Sequence, residues 1–317
     1  MSEKYKIGII GSGAIGAAYA ALFTGHGYQV VQYDLSEEFI KNGLAKYEEL
    51  YDAIVSRGLF STAQREDARS LLSQTLSLSD LNGSDIIFEC IPEDIDMKKK
   101  LYVQVEEAIE EVSALVSTSS ALSPDDLISD MTKFRSILVV GHPFNPPHLA
   151  PFVELVRSSE TDDSVVELVK KFLESNGRQV SVMMKTAPGF IANRLQHALL
   201  REAMHLVDEG LVSCPEDVDK ALTYSFMPRY TKVGIFEHHD FFGMDNTQKL
   251  QNYLYPYLYN GQGAAEMVNK LVEKGELGMK TGKGIYEWDD EKIADFKERA
   301  AEPYWEFFDW QNDKEIG

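Results

Sequence analysis

One histidine and one glutamate stand where they could form a proton-transferring pair. His142 follows the apolar run Ile137-Leu-Val-Val-Gly, and Glu154 interrupts the apolar run Phe152-Val-Glu-Leu-Val twelve residues later. A carboxylate within an apolar strand is costly unless it is paired. We therefore expect Glu154 to bond to His142, fixing the imidazole tautomer and stabilising the imidazolium that forms when His142 accepts a proton. The alternative is a solvent-facing Glu154 on an edge strand and an ordinary loop histidine.

The N-terminal segment carries a glycine pattern typical of dinucleotide binding. The pattern Gly11-x-Gly-x-x-Gly follows a predicted strand and opens a predicted helix. Its glycines permit a tight turn, let a pyrophosphate approach the backbone at the helix N-terminus, and bring the helix close to the sheet. We expect the cofactor to lie against this loop, which comprises Gly11, Gly13, Ala14, Ile15 and Gly16.

Asp34 indicates which dinucleotide is bound. It ends the second predicted strand, 18 residues after Gly16. A carboxylate there accepts hydrogen bonds from the ribose hydroxyls and repels a 2′-phosphate. The next residues, Leu35-Ser-Glu-Glu, offer no arginine that would bind such a phosphate. The sequence therefore favours NAD over NADP, and a helix N-cap is the alternative role for Asp34.

The order of the apolar runs predicts how these residues are positioned. Strands alternate with helices up to Pro188-Gly189, and the chain is helical afterwards. The expected fold class is α/β: a Rossmann-type doubly wound sheet followed by an all-helical C-terminal domain, with domains at 1–185 and 186–290 and an acidic C-terminal extension at 291–317. Strands are expected at 6–10, 29–33, 86–89, 115–117, 137–140, 152–156 and 179–183, and helices include 15–24, 37–57, 97–111, 190–209, 215–223, 247–258 and 264–274.

Composition excludes several classes of function. The 317 residues carry a net charge of −20, which argues against nucleic acid and anionic membranes as partners because both need a basic face. Cys90 and Cys214 lack metal-type spacing, and no segment resembles a signal peptide or a membrane span, so a cytoplasmic protein is expected. No metal site is expected. We predict that His238 and His239 lie in a loop at the substrate cleft or at a dimer contact.

Four motifs occur in order along the chain: Ser117-Thr-Ser-Ser-Ala-Leu, His142-Pro-Phe-Asn-Pro, Pro188-Gly-Phe-Ile-Ala-Asn-Arg-Leu and Gly278-Met-Lys-Thr-Gly-Lys-Gly-Ile-Tyr. Together they resemble the 3-hydroxyacyl-CoA dehydrogenase family, and the resemblance spans residue 5 to about 288. Glu89-Cys-Ile-Pro-Glu-Asp, together with the histidine motif, resembles the lambda-crystallin branch, which includes L-gulonate 3-dehydrogenase. The ending Lys280-Thr-Gly-Lys-Gly is more similar to the acyl-CoA enzymes.

The resemblance implies a role for each matching residue. His142 would be the general base and Glu154 its orienting partner. Ser120 would hold the substrate oxygen, with Ser119 as the alternative because the register is uncertain by one residue, and Asn193 would donate to the same oxygen. The residues that match cofactor contacts of the family are Glu93, Lys98, Asn145 and Lys280. Their alternative roles are a solvated helix start for Glu93 and Lys98, and a turn for Lys280.

The resemblance also implies the reaction. We expect NAD-dependent oxidation of the C3 hydroxyl of a short 3-hydroxyacyl-CoA such as 3-hydroxybutyryl-CoA, by a homodimer formed through the helical domain. The family grips CoA at the two-helix insertion after strand 2, often through lysines. The turn here, Ser56-Arg-Gly-Leu, has one basic residue, which keeps open a free hydroxy acid such as L-gulonate or a carnitine-like compound. A non-enzymatic, crystallin-like structural role is the third possibility.

Overall fold

Two units make up the chain, of which the computed structural model describes residues 5–308. The first unit runs to Ile191 and resumes at Arg299. The second unit comprises Ala192–Glu298. None of the helices in the described range has the length and apolarity needed to span a bilayer.

The first unit is built on one sheet of eight strands in the order β3-β2-β1-β4-β5-β6-β7-β8. All neighbouring strands are parallel except β6 and β7, which are antiparallel. The strand order reverses between β1 and β4, and open α/β sheets bind ligands at the carboxyl ends of the strands at such a point. The strands are β1 (Lys6–Ile10), β2 (Gln29–Tyr33), β3 (Leu72–Thr75), β4 (Ile86–Glu89), β5 (Ala114–Ser117), β6 (Leu138–Pro143), β7 (Phe152–Arg157) and β8 (Gln179–Met183).

Helices cover the sheet of the first unit, and side chains at their N-termini define where several begin. Ser36 accepts a hydrogen bond from the backbone of Phe39, and Asp94 accepts one from Met97, so each caps the helix that follows it. The core consists of apolar side chains of the strands and of the helix faces that pack on them. The helices are α1 (Ala14–Gly25), α2 (Glu37–Ser56), α3 (Thr62–Ser70), α4 (Ile95–Ala108), α5 (Pro124–Leu127) and α6 (Asp163–Ser175).

The second unit is helical, and its described residues form only isolated β-bridges, at Gly278, Lys283 and Glu287. α13 begins in this unit and ends after the first unit resumes. The segment that follows it, Glu302–Phe307, is a 3-10 helix. The helices are α7 (Ala192–Asp208), α8 (Pro215–Tyr224), α9 (Met227–Tyr230), α10 (Ile235–Phe242), α11 (Met244–Leu254), α12 (Glu266–Glu273) and α13 (Asp290–Ala301).

The predicted fold class is confirmed, and two details differ from the expectation. β3 was not predicted, because its sequence Leu-Ser-Gln-Thr is short and mostly polar. The prediction of a loop at His238 and His239 is wrong, since both lie on α10. The helix lies between Gly234 and Gly243, and four of its eight residues are Ile or Phe, which supply an apolar side chain to most of its turns. Part of the expected extension at 291–317 lies outside the described residues.

Candidate active site

His142 and Glu154 face each other across the one antiparallel pair of strands in the sheet. The register of β6 and β7 makes them direct partners, and Nδ1 of His142 lies 2.7 Å from Oε2 of Glu154. The histidine is 6% exposed and the glutamate is fully buried. An ionised carboxylate can only accept a hydrogen bond, so Nδ1 carries the proton and Nε2 is left with its lone pair. In the described part of the chain, Nε2 has no hydrogen-bond partner.

The turn before α7 completes the surroundings of this pair. The backbone N–H of Ile191 donates to Oε1 of Glu154 over 2.6 Å, so both carboxylate oxygens are bonded. The ring of Phe190 lies 5.6 Å from the imidazole and is fully buried. Its φ of +48° is unusual for a residue with a side chain. Phe190 and Ile191 belong to the motif that begins at Pro188, but their apolar side chains gave no sign in the sequence of a role at the site.

The glycine loop has one face closed by the protein and one face open. A Cβ on Gly11 (φ +102°) would lie 2.8 Å from the carbonyl oxygen of Cys90, and a Cβ on Gly16 would lie 2.0 Å from that of Gly11. Close backbone packing therefore requires both glycines. Gly13 has no neighbouring atom within 4 Å of such a Cβ and caps α1, whose first residues are Ala14 and Ile15. The open face lies at a helix N-terminus, where backbone N–H groups bind phosphate.

Asp34 is held beside this loop at the carboxyl end of β2. Its Oδ2 accepts the backbone N–H of Ser12 over 2.7 Å and the Ser12 hydroxyl over 2.6 Å. Its Oδ1 accepts the N–H of Leu35 over 2.7 Å. The alternative role as a helix cap is wrong, because Ser36 caps α2. The half-buried carboxylate is oriented next to the glycines, and this arrangement fits an adenosine ribose.

Glu93 anchors the loop that carries the two candidate serines. Its Oε1 accepts the Ser119 hydroxyl over 2.6 Å and the backbone N–H groups of Ser120 and Ala121 over 2.9 Å each. The Ser119 hydroxyl also accepts the N–H of Leu122 over 3.0 Å. Ser119 is fully buried, whereas Ser120 is exposed. The Ser120 hydroxyl makes no hydrogen bond to the described residues, so it is the one available to a ligand.

Lys98 and Glu89 form a buried ion pair below this loop. Nζ of Lys98 lies 2.6 Å from Oε1 of Glu89, and both side chains are fully buried. The alternative of a solvated helix start is therefore wrong for Lys98. Its complete burial also argues against the predicted contact of Lys98 with the cofactor, because no part of its side chain is exposed. Glu89 was not predicted as a site residue, although a carboxylate that ends the apolar strand β4 is the same kind of signal that indicated Glu154. Burial, followed by the Glu89 charge, raises the pKa of Tyr102 well above its usual value, so its hydroxyl stays protonated.

The remaining predicted residues lie apart along the chain. Asn145 is exposed in the loop after β6. Asn193 is half-buried in the first turn of α7, and Lys280 is exposed in the turn that the β-bridge between Gly278 and Lys283 closes; both belong to the second unit. Their functional roles stay predictions.

Comparison with known proteins identifies the family. One family model, "3-hydroxyacyl-CoA dehydrogenase, NAD binding domain", matches residues 6–187, and a second, "3-hydroxyacyl-CoA dehydrogenase, C-terminal domain", matches residues 189–288. The chain belongs to the 3-hydroxyacyl-CoA dehydrogenase family. NAD is accordingly its cofactor, and the open glycine loop with Asp34 beside it fits that molecule. Membership of this family of NAD-dependent 3-hydroxyacyl-CoA and related hydroxy acid dehydrogenases makes the protein an oxidoreductase.

Its relatives include both CoA-ester enzymes and enzymes with other names. The human lambda-crystallin homolog is 34% identical over 231 residues, 72% of each chain. A 5-formyl-3-hydroxy-2-methylpyridine 4-carboxylic acid 5-dehydrogenase, described as an NAD+-dependent dismutase, has a similar structure (TM-score 0.84, 26% identity, 94% of this chain and 95% of that one). The (S)-3-hydroxybutyryl-CoA dehydrogenase of Ralstonia eutropha is also similar (TM-score 0.75, 26% identity, 90% and 99% of the chains).

Proposed function

We propose that this family member oxidises the C3 hydroxyl of a small 3-hydroxyacyl or 3-hydroxy acid substrate, with His142 as the general base. The observation that supports this proposal best is the hydrogen bond from Nδ1 of His142 to the buried Glu154, which leaves Nε2 as the acceptor. The hydroxyl proton passes to Nε2 while the C3–H bond breaks and a carbonyl forms. NAD, when bound, accepts the hydride.

Glu154 orients the base and stabilises its charged form. Proton transfer creates an imidazolium in a buried position, where an unpaired charge is unfavourable. The adjacent carboxylate offsets this, because a charge-assisted hydrogen bond contributes roughly 1.5–3 kcal/mol. The N–H of Ile191 on the second oxygen keeps the carboxylate in place.

Two further side chains are proposed to hold the substrate oxygen. Ser120 is favoured over Ser119, since the hydroxyl of Ser119 is already bonded to Glu93 and to the N–H of Leu122. Asn193 is proposed from the family resemblance. The cofactor contacts are proposed at the glycine loop from Gly11 to Gly16 and at the side chains Asp34, Glu93, Asn145 and Lys280. A homodimer is proposed as well, supported by exposed aromatic side chains of the second unit: Tyr224, Phe236 and Phe241.

The substrate class depends on whether the protein can bind the phosphates of CoA. Arg57 is the basic residue at the turn between α2 and α3. Its guanidinium lies 4.5 Å above the ring of Trp305, and its Nη2 lies 3.8 Å from Oε2 of Glu302. The guanidinium of Arg57 is thus already engaged by Trp305, and the carboxylate of Glu302 beside it would repel a phosphate group of CoA. This favours a free hydroxy acid over the short-chain CoA ester, which stays the second candidate.

One kinetic experiment tests the proposal. NADH formation is measured with L-3-hydroxybutyryl-CoA, L-gulonate and L-carnitine, for the wild-type protein and His142→Gln, and NAD binding is measured by calorimetry. We expect turnover of at least one substrate, a loss of kcat by roughly 10²- to 10⁴-fold in His142→Gln, and unchanged NAD binding. Equal turnover by the variant would refute the role of His142. Absence of NAD binding would instead support a structural, crystallin-like protein.

A further inference from the structure

The buried pair formed by Glu89 and Lys98 connects two strands with α4. Oε1 of Glu89 accepts from Nζ of Lys98 over 2.6 Å and from the N–H of Ile91 over 2.8 Å. Its Oε2 accepts the hydroxyls of Tyr102 over 2.6 Å and Ser117 over 2.7 Å. Four donors therefore surround this carboxylate at the carboxyl ends of β4 and β5. It is fully satisfied, so its position is strongly determined.

Lys98 also extends this network towards the loop with Ser120. Its Nζ lies 3.9 Å from Oε2 of Glu93 and 3.4 Å from the carbonyl oxygen of Ile91. The other oxygen of Glu93 accepts the three hydrogen bonds from residues 119–121. A continuous chain of contacts thus runs from Glu89 through Lys98 and Glu93 to the backbone of Ser120.

A fully buried ion pair is an expensive way to stabilise a fold. Removing two charges from water has a large desolvation cost, and well-packed apolar side chains at the same positions are often equally or more stable. Stability alone therefore gives little reason for a lysine and a glutamate at these positions. The orientation of Glu93 gives one, because the ammonium of Lys98 lies beside the carboxylate oxygen of Glu93 that accepts none of the hydrogen bonds from residues 119–121.

We propose that Glu89 and Lys98 are positioning residues for Ser120. In this arrangement Glu89 fixes the ammonium of Lys98, Lys98 fixes Glu93, and Glu93 fixes the loop that presents the Ser120 hydroxyl to the substrate oxygen. Lys98 has no exposed surface, so it acts through Glu93 rather than by touching the ligand. The inference rests on the proposed function, because it takes Ser120 as the residue that contacts substrate.

A double-mutant cycle separates positioning from stability. Glu89→Gln or Lys98→Met alone leaves a buried charge without the opposite charge beside it, and each should lower the urea midpoint of unfolding. Glu89→Gln/Lys98→Met removes both charges. Its urea midpoint should therefore return most of the way to that of the wild type. We nevertheless expect its kcat to stay roughly 10- to 100-fold below that of the wild type, because a small displacement of a contacting group has effects of this size. Lys100→Met, an exposed position on α4, is the control and should leave both quantities unchanged.

The decisive measurement adds Ser120→Ala to each background. We expect this change to lower kcat in the wild type and to have little further effect in the double variant, since both act on the same hydroxyl. The same fold-loss in both backgrounds would overturn the positioning role, as would an unaffected kcat in Glu89→Gln/Lys98→Met. No effect of Ser120→Ala in the wild type would overturn it too. Any of these results would refute only the positioning role. The proposed reaction would still be supported if His142→Gln lowers kcat as expected.

Tyr102→Phe provides a milder variant if the charge changes prevent folding. It removes one donor to Glu89 and preserves the buried ring. We expect a several-fold lower kcat, again with a reduced effect of Ser120→Ala. The proposal would be contradicted if the effects of Tyr102→Phe and Ser120→Ala on kcat were fully additive while Tyr102→Phe kept the urea midpoint of the wild type.

Discussion

His142 on β6 and Glu154 on β7 are direct partners in an antiparallel ladder, with Nδ1 and Oε2 2.7 Å apart. The pairing depends on the reversal of chain direction between these two strands, because it brings the end of β6 against the beginning of β7. Both carboxylate oxygens are bonded, one to the imidazole and one to the N–H of Ile191. The pair is thus held by backbone register and by the turn before α7.

Glu154→Gln should lower kcat by on the order of 10²-fold or more. The single carbonyl oxygen of glutamine can accept from Nδ1 of His142 or from Ile191, but it cannot serve both as the carboxylate does. It also lacks the negative charge that stabilises the imidazolium formed in the reaction. We expect the acid limb of the pH dependence of kcat/KM for alcohol oxidation to move to lower pH.

The control for this variant is Glu160→Gln, which removes an exposed carboxylate paired with Arg135. It should leave kcat and the pH profile unchanged. An acid limb at the same pH in Glu154→Gln and in the wild type would show that the carboxylate does not stabilise the charged base.

Ser119→Ala and Ser120→Ala should have opposite effects on stability and activity. The buried Ser119 hydroxyl bonds to Glu93 and Leu122, so its removal should lower the free energy of unfolding by about 1–3 kcal/mol. The exposed Ser120 hydroxyl has no such partners, and its removal should reduce kcat with little loss of stability. Urea unfolding and steady-state kinetics of both variants check this. If only Ser119→Ala impaired turnover in a stable protein, the two roles would have to be exchanged.

His148 should make the protein less stable as the pH falls. Burial, followed by the nearby Arg178 charge, lowers the pKa of His148 from 6.5 to about 4. Above pH 6.5 the group is neutral in both states, and between pH 6.5 and about 4 only the unfolded chain binds the proton. At about pH 5.5 this linkage should cost about 1.4 kcal/mol relative to about pH 8.

His148→Phe should remove this contribution from the pH dependence of unfolding, as measured by urea titration at the two pH values. His197→Gln, an exposed histidine on α7, serves as the control and should retain the wild-type dependence. An identical loss of stability in His148→Phe and in the wild type would place the acid sensitivity elsewhere.

The sequence by itself determined the fold class and the pieces of the site. Apolar runs define strands through a local pattern, and the spacing of the glycines at 11, 13 and 16 directly after the first strand is a local motif as well. The single carboxylate within the run Phe152-Val-Glu-Leu-Val was sufficient to predict the partner of His142, because burial of an unpaired charge is so unfavourable.

Only the tertiary structure decided which polar groups are free and which are already bonded. In the sequence, Lys98 and Ser119 cannot be distinguished from residues that contact a ligand. In the structure, Lys98 donates its hydrogen bond to Glu89, and Ser119 donates to Glu93. Those partners lie 9 and 26 residues away along the chain and meet because neighbouring strands end at one edge of the sheet. Hydrogen bonding depends on distance in space, which a local pattern does not contain. Strand order and register therefore had to be known before an available serine could be told from a buried one.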